Sequence, residues 1–252
     1  MKRFLLFSMI LFSVIVGYMY WSIDATNDLR LVNEQHPLPR WMIPTNTVTL
    51  SPTDTFLTAR EITVDPVVVA PLHEMMQRAK SEGLQHFIIN SGYRSISEQK
   101  ELFQQYGKQR AQRAKQSEHH TGLALDIGST NGAMGGSPEG AWLQQHAWEY
   151  GFVMRYPAHK TAITNIQFEP WHIRYVGLPH SLIMRDYDFV LEEYIQYLQD
   201  HESLTYGNYT VQRMTKSDYR KFVKDIDPNT FTASHDGTGH IIVTTKRGWD
   251  KT

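Results

Sequence analysis

The period of the hydrophobic positions changes several times along the chain, and each change predicts a secondary-structure element. After Asp65, which suits a helix N-cap, apolar residues recur at helical spacing as far as Gly83. The apolar run "HFIIN" (86–90) then predicts a buried strand. Ser95 and Glu98 form a capping-box pattern, which predicts that a second helix begins there.

Strict alternation replaces the helical period in "TGLALDIG" (121–128). Its leucine and isoleucine side chains would line one face of a strand, so Asp126 is expected on the opposite face. Further strands are predicted at 152–156 and 168–177, and further helices at 137–151 and 183–198. Helices and strands are mixed without a regular strand–helix–strand rhythm, which indicates an α+β fold.

The N-terminus carries an uncharged apolar stretch from Phe4 to Ile23, directly after Lys2 and Arg3. This length suffices to cross a bilayer as a helix, and no small-residue cleavage site follows it. The pattern therefore predicts an uncleaved, single-pass anchor. By the positive-inside rule, the chain after about residue 24 would lie outside the cytoplasm.

The pattern divides the chain into four parts. Residues 1–23 are the predicted anchor, and 24–65, rich in Pro, Thr and Asn, are predicted to be a stalk with lead-in strands. Residues 66–200 form the principal domain. Residues 201–252 are predicted to be a small β appendage, because a hairpin turn at Gly207–Asn208 and the run "HIIVTT" both indicate strands. The partner of this tail remains open.

Composition narrows the possible functions. The net charge of −1 provides no basic surface for nucleic acid, so no nucleic-acid partner is predicted. Cysteine is absent, which excludes thiolate ligands and a cysteine nucleophile. Any metal must therefore be bound by His, Asp or Glu.

Two stretches, "HHTGLALD" and "EPWH", together contain the residue types of a hydrolytic zinc site. Such a site needs three protein ligands, an open position for water and a carboxylate that does not bind the metal. Spacing leaves the choice within the histidine pair open. His120 has the same strand parity as Asp126, whereas His119 could reach the metal only from a loop bent at Gly122.

A second geometric condition concerns Glu169 and His172. Residues three apart in a flat strand point to opposite faces, so these two side chains can converge only if the chain bends between them. Pro170 makes a break at this point plausible.

The stretch "SEHHTGLALDIG", with "SGYRS" (91–95) upstream and "EPWHIRYVG" (169–177) downstream, resembles the VanY-type D-alanyl-D-alanine carboxypeptidases. These are zinc peptidases of the group named after lysostaphin, D-Ala-D-Ala peptidases and sonic hedgehog, and the resemblance covers roughly residues 28–200. It implies a hedgehog-like fold in which helices flank a central antiparallel sheet. It also implies that the enzyme removes the terminal D-Ala from peptidoglycan pentapeptide stems at the bacterial membrane, which would contribute to glycopeptide (vancomycin) resistance.

The resemblance also implies roles for individual residues. The zinc ligands would be His119, Asp126 and His172. His120 stands at a variable position of the motif and would not bind the metal. Glu169 would be the general base, and Arg94 would stabilise the developing oxyanion or hold the substrate. Gln99 and Ser117 match substrate-contacting positions that could bind the terminal carboxylate.

The sequence is also compatible with other functions. An L,D-carboxypeptidase or a peptidoglycan endopeptidase could use the same zinc site. A serine-type D,D-peptidase is a remote alternative, supported by "SEQK" (97–100) and "STN" (129–131), although the third motif appears only as "KTA" at 160. A non-enzymatic wall-binding protein is disfavoured, because a structural zinc site needs no uncoordinated base such as Glu169.

Overall fold

The computed structural model describes residues 25–53, 55–108 and 111–247. The anchor predicted for residues 1–23 lies outside these described residues. Within them no helix is long and apolar enough to cross a membrane. The longest helix there has 16 residues, whereas a span needs about 20 apolar ones. Single-pass anchoring in the membrane is therefore not supported by the described part of the chain.

The described elements are short strands and helices that follow one another without a regular rhythm. The strands are β1 (Val48–Leu50), β2 (Leu57–Thr58), β3 (Ile62–Val64), β4 (Phe87–Ser91), β5 (Ala124–Ser129), β6 (Phe152–Met154), β7 (His172–Tyr175), β8 (Ser203–Tyr206), β9 (Tyr209–Met214), β10 (Phe231–His235) and β11 (Ile241–Lys246). The α-helices are α1 (Pro66–Ser81), α2 (Ile96–Tyr106), α3 (Pro138–His146), α4 (Thr161–Thr164), α5 (His180–Asp186), α6 (Leu191–His201) and α7 (Lys216–Phe222).

The central sheet has five strands in the order β2-β4-β5-β7-β6. All neighbours are antiparallel except β2 and β4, which run parallel. Leu125 and Ile127 of β5 enter the core beneath α1 and α3, where they pack with residues such as Leu72 and Leu143. Asp126 lies on the opposite face, as the alternation predicted. The α+β prediction is confirmed.

A second sheet, in the order β10-β11-β9-β8, lies in the C-terminal part of the chain. One of its faces packs against α5 and α6 through residues such as Val211 and Ile242. The other face packs against α7, where Tyr219 contacts Phe231. Because helices cover both faces, this sheet is a packed layer of the molecule. The predicted hairpin turn at Gly207 joins β8 and β9, whereas neither α7 nor β10 was predicted.

The single helix predicted for 183–198 is wrong, because α5 ends at Asp186 and α6 begins at Leu191. Between them, Asp188 adopts a left-handed conformation with φ of 51°. The backbone N–H of Val190 donates to the Glu193 carboxylate at 3.0 Å, which caps the new helix. Apolar spacing continued across the break because both helices pack on the same core.

His180 joins three elements of this packing. Its ring is buried in α5, with Nδ1 at 2.8 Å from the Tyr194 hydroxyl and Nε2 at 3.1 Å from the Thr244 hydroxyl. Burial lowers the pKa of His180 to about 3. The imidazole is therefore neutral in the folded chain and bridges α6 to β11.

This burial predicts an acid-sensitive stability. Below pH 6.5 an exposed histidine takes up a proton in the unfolded chain, but His180 stays neutral in the folded chain until the pH approaches 3. Each pH unit in that window should therefore lower the free energy of unfolding by up to about 1.4 kcal/mol. Urea denaturation at pH 7, 6 and 5 gives the free energy of unfolding at each pH. This free energy should change less with pH for His180→Gln than for the wild type. An identical pH dependence in the two proteins would contradict the conclusion that His180 is neutral in the folded chain.

Candidate active site

Strand register brings two of the motif residues side by side. Asp126 of β5 lies directly opposite His172 of β7, and Ser91 of β4 flanks Asp126 on the other side. The Asp126 Oδ1 atom is 3.1 Å from His172 Nδ1. Asp126, on the polar face of β5, therefore lies beside His172, the first residue of β7.

His119 reaches this point from a tight turn that precedes β5. Residues Glu118–Thr121 form a 3-10 turn, and the Ser117 hydroxyl at its N-cap accepts a weak hydrogen bond from the His119 N–H at 3.4 Å. Gly122 ends the turn at φ of 73°, and a Cβ there would lie 2.8 Å from the backbone nitrogen of Asp65. Glycine is thus required both by the left-handed conformation and by the close backbone approach.

The ring of His119 has a defined orientation. Nδ1 is 2.7 Å from the carbonyl oxygen of Gly92, which can only accept, so Nδ1 carries the proton. Nε2 then presents a lone pair to Asp126 Oδ2 at 3.3 Å. Two acceptors facing each other are stable only with a proton or a cation between them. The donor set of His119, Asp126 and His172, whose ligand atoms all lie within 4.8 Å of one another, fits a divalent cation such as zinc.

The charges in this cluster are strongly coupled. Burial opposes ionisation of Asp126, but His119 and His172 hold the pKa of its carboxyl far below the usual range. Burial likewise acts to lower the pKa of His172, yet Asp126 and Glu118 raise it to about 9. Without a metal the cluster therefore attracts a proton, and a divalent cation would take that place.

His120 points away from the three clustered residues. Its ring is fully buried, and Nδ1 donates to the carbonyl oxygen of Arg94 at 2.6 Å. The parity argument fails because β5 begins only at Ala124, so the histidine pair lies in the 3-10 turn. In that turn His119 and His120 point in different directions, and only His119 lies beside Asp126.

Glu169 approaches the cluster through a turn. The carbonyl oxygen of Glu169 accepts from the His172 N–H at 3.2 Å, which closes a turn with Pro170 at its second position. This turn is the bend that the sequence required. Glu169 Oε2 lies 3.5 Å from His172 Nδ1, and burial raises the pKa of the Glu169 carboxyl. A raised pKa makes this carboxylate a better proton acceptor near neutral pH.

Arg94 lies at the same edge of the cluster. Its guanidinium donates to the Gln99 side-chain oxygen and to the Ser91 hydroxyl, both at 2.9 Å, and lies 3.8 Å from Asp126. The amide nitrogen of Gln99 donates to the carbonyl of Gln112 at 2.6 Å. Because both ends of the Gln99 amide are engaged, Gln99 holds Arg94 in place.

These residues line a cleft of about 330 Å³. Arg94, Gln99 and Ser117 lie along it with the three clustered residues and Glu169. Trp171, 41% exposed, lies at its edge. Of the serine-peptidase motif residues, neither Ser97 nor Ser129 nor Lys160 lines this cleft in the described part of the chain.

Sequence reasoning missed four residues around the site: Glu118, Arg155, Tyr156 and Arg174. All four are buried, and the Tyr156 ring lies 4.8 Å from the His172 ring. A signal was available for Arg174, because it shares a strand face with His172 and a charged residue seldom faces inward without a partner. Glu118 stood inside the quoted motif, next to the histidine pair.

Comparisons with known proteins identify the family of this chain. The family model of the VanY D-alanyl-D-alanine carboxypeptidases matches residues 61–178. A curated D-alanyl-D-alanine carboxypeptidase of Enterococcus faecium is 43% identical over 183 residues, which cover 71% of this chain and 60% of that enzyme. The bifunctional D-Ala-D-Ala dipeptidase and carboxypeptidase VanXYC of Enterococcus gallinarum is 33% identical, covering 68% of this chain and 95% of that protein.

Solved structures give the same result. The vancomycin resistance D,D-dipeptidase VanXYg, in complex with a D-Ala-D-Ala phosphinate analogue, has a TM-score of 0.72 at 27% identity, covering 88% of this chain and 94% of that one. The LD-carboxypeptidase LdcB has a TM-score of 0.60 at 37% identity, covering 66% and 84%. A variant of a VanY D,D-pentapeptidase in complex with Zn(II) has a TM-score of 0.59 at 28% identity, covering 67% and 98%.

The predicted resemblance is therefore confirmed. The E. faecium enzyme extends beyond the matched region, since this chain spans 60% of its length. The match to VanXYC is nearly complete over that protein. The family model, the curated relatives and the fold of the solved structures agree, and the chain belongs to the VanY family of D-alanyl-D-alanine carboxypeptidases.

Proposed function

We propose that this chain is a zinc-dependent D,D-carboxypeptidase that removes the terminal D-Ala from peptidoglycan stems ending in D-Ala-D-Ala. One observation carries the proposal: Glu169 stands 3.5 Å from His172 beside a set of three metal-binding donors. A hydrolytic metal site needs such a carboxylate close to the metal ligands but outside their number. The family, and the Zn(II) complex of a VanY relative, support the same assignment.

The metal would be held by His119 Nε2, Asp126 and His172 Nδ1, the atoms that face one another in the cleft. A bound zinc ion would supply Lewis acidity, which acidifies water and polarises a peptide carbonyl. Glu169 Oε2 would accept the proton of the attacking water and then transfer it to the amine of the departing D-Ala. The desolvated carboxylate is suited to both steps, because its raised pKa lies closer to the operating pH.

Arg94 would bind the charged part of the substrate. Its side chain is 15% exposed and its guanidinium is held by Ser91 and Gln99, so it presents a fixed positive charge to the cleft. A planar guanidinium suits either the developing oxyanion or the terminal carboxylate that a carboxypeptidase must recognise. Ser117 lines the same cleft and would add a hydrogen bond to that carboxylate. Gln99 would act by positioning Arg94.

The similarity to an LD-carboxypeptidase favours one alternative, an L,D-carboxypeptidase that acts on tetrapeptide stems with the same metal site. An endopeptidase would use the same metal site but needs no carboxylate-binding group. If the D,D activity holds in the cell, it would remove the D-Ala-D-Ala terminus and so contribute to glycopeptide resistance.

Metal removal tests the proposal. The full chain is incubated with synthetic pentapeptide and tetrapeptide stems in three states: untreated, after chelation, and after zinc is added back. The products are identified by mass spectrometry. We expect the pentapeptide to lose one alanine, the chelated protein to be inactive and zinc to restore the activity. A β-lactam should not inhibit it. Loss of a dipeptide, preference for the tetrapeptide or activity that survives chelation would contradict the proposal.

A further inference from the structure

Glu118 is a fully buried carboxylate for which the reaction above has no role. Its side chain is 0% exposed. One oxygen, Oε1, accepts from Arg155 Nε at 2.8 Å and lies 3.1 Å from an Arg174 guanidinium nitrogen. Although burial opposes its ionisation, these two arginines keep the carboxyl charged. The two arginines also fix the orientation of the carboxylate, because both lie beside Oε1.

The other oxygen, Oε2, has no hydrogen-bond partner and faces His172. It lies 3.7 Å from His172 Nε2, a nitrogen that is also buried and unpartnered. A closure of roughly 0.8 Å would bring the two atoms to the usual N–H···O distance of about 2.9 Å. A carboxylate can only accept, so the proton of the neutral ring belongs on Nε2. Nδ1 is then left as the lone pair that faces Asp126.

We propose that Glu118 is a positioning residue that fixes the orientation and tautomer of His172 for metal binding. The inference rests on the proposed function, because it presumes a divalent cation between His119, Asp126 and His172. Histidines that bind metals commonly donate their second N–H to a carboxylate or a carbonyl, which also raises their basicity. His119 has such a partner in the Gly92 carbonyl, and Glu118 supplies the corresponding group for His172.

The support extends to the N-terminal and C-terminal parts of the chain. A guanidinium nitrogen of Arg174 donates to three carbonyl oxygens of the lead-in segment, those of Asn27, Asp28 and Arg30. The C-terminal sheet holds this segment, because Leu29 N–H donates to the Ser234 hydroxyl at 2.9 Å and Leu31 N–H donates to the Asp236 carbonyl at 3.1 Å. Both parts therefore keep Arg174 beside Glu118.

The variant Glu118→Gln tests the inference. Arg155 and Arg174 can only donate, so the carbonyl oxygen of the introduced amide must take the place of Oε1. The NH₂ group of the glutamine then faces His172 Nε2. Because two N–H donors repel each other, the variant favours the tautomer of His172 that is protonated on Nδ1, the nitrogen that would bind the metal. We expect the zinc affinity, measured by competition with a chromophoric chelator, to fall by about 10- to 100-fold. The ¹⁵N spectrum of the zinc-free imidazole at high pH should show less of the tautomer protonated on Nε2.

Glu192→Gln is the matched control. Glu192 binds the same Arg155 guanidinium through two hydrogen bonds of 2.7 and 2.8 Å, but nothing connects it directly to His172. Both variants should lower the melting temperature, and only Glu118→Gln should lower the zinc affinity. Equal losses of affinity in both variants, or no loss in Glu118→Gln, would overturn the inference while wild-type activity upholds the proposed function. A wild-type chain that neither binds zinc nor cleaves stems would overturn both.

Discussion

Replacing Glu169 by glutamine is expected to lower kcat by about 100- to 10,000-fold, the range that a positioned general base contributes. The amide has the size of the carboxylate but cannot accept the proton of the attacking water or pass it to the leaving amine. Because Glu169 stands 3.5 Å from His172 and outside the donor set, zinc affinity should change far less than kcat. Stopped assays on a pentapeptide stem give kcat, and chelator competition gives the affinity.

The control removes a similar negative charge away from the reaction. Glu149 lies 2.8 Å from His146 with a side chain that is 38% exposed, and neither residue lines the cleft, so Glu149→Gln should keep the wild-type kcat. If Glu169→Gln retained most of its activity, the general base would have to be another group. If the variant lost zinc together with activity, Glu169 would be a metal ligand and could not be the uncoordinated general base.

Local patterns predicted the elements that build the site. Alternation placed Asp126 opposite the core side of β5, and the capping box of Ser95 and Glu98 begins α2. Both are properties of neighbouring residues, so they can be read from sequence. The convergence of Asp126 with His172, which are 46 residues apart, depends on the pairing of β5 with β7. Residue types and the family motif indicated that the two stretches act together, but no local pattern predicted the strand pairing.

Long-range ion pairs were beyond the reach of the sequence. Arg155 meets Glu118 and Glu192 across 37 residues in each direction, and no local pattern relates these positions. The lead-in segment illustrates the same limit. The stretch "LRLVN" (29–33) was predicted to be a β-type piece of the stalk, but residues 29–32 are buried in an irregular conformation. Their burial follows from contacts with Arg174 and the C-terminal sheet, which spacing cannot reveal.

The two adjacent histidines should behave in opposite ways when each is replaced by glutamine. His119→Gln removes the nitrogen that faces Asp126 at 3.3 Å, so zinc affinity should fall well beyond the roughly 10- to 100-fold that loss of an outer partner costs, and hydrolysis should cease. His120→Gln keeps a donor for the Arg94 carbonyl, 2.6 Å away, so zinc affinity and most activity should remain. Chelator competition and stem hydrolysis measure both.

Stability separates the two effects further. His120 is fully buried, so its replacement should lower the melting temperature even though the metal still binds. Because zinc binds only the folded chain, adding it should raise the melting temperature of His120→Gln but not that of His119→Gln. The opposite result, with zinc retained only in His119→Gln, would make His120 the ligand. The strand-parity argument would then be right, and the two rings could not have the orientations that the 3-10 turn gives them.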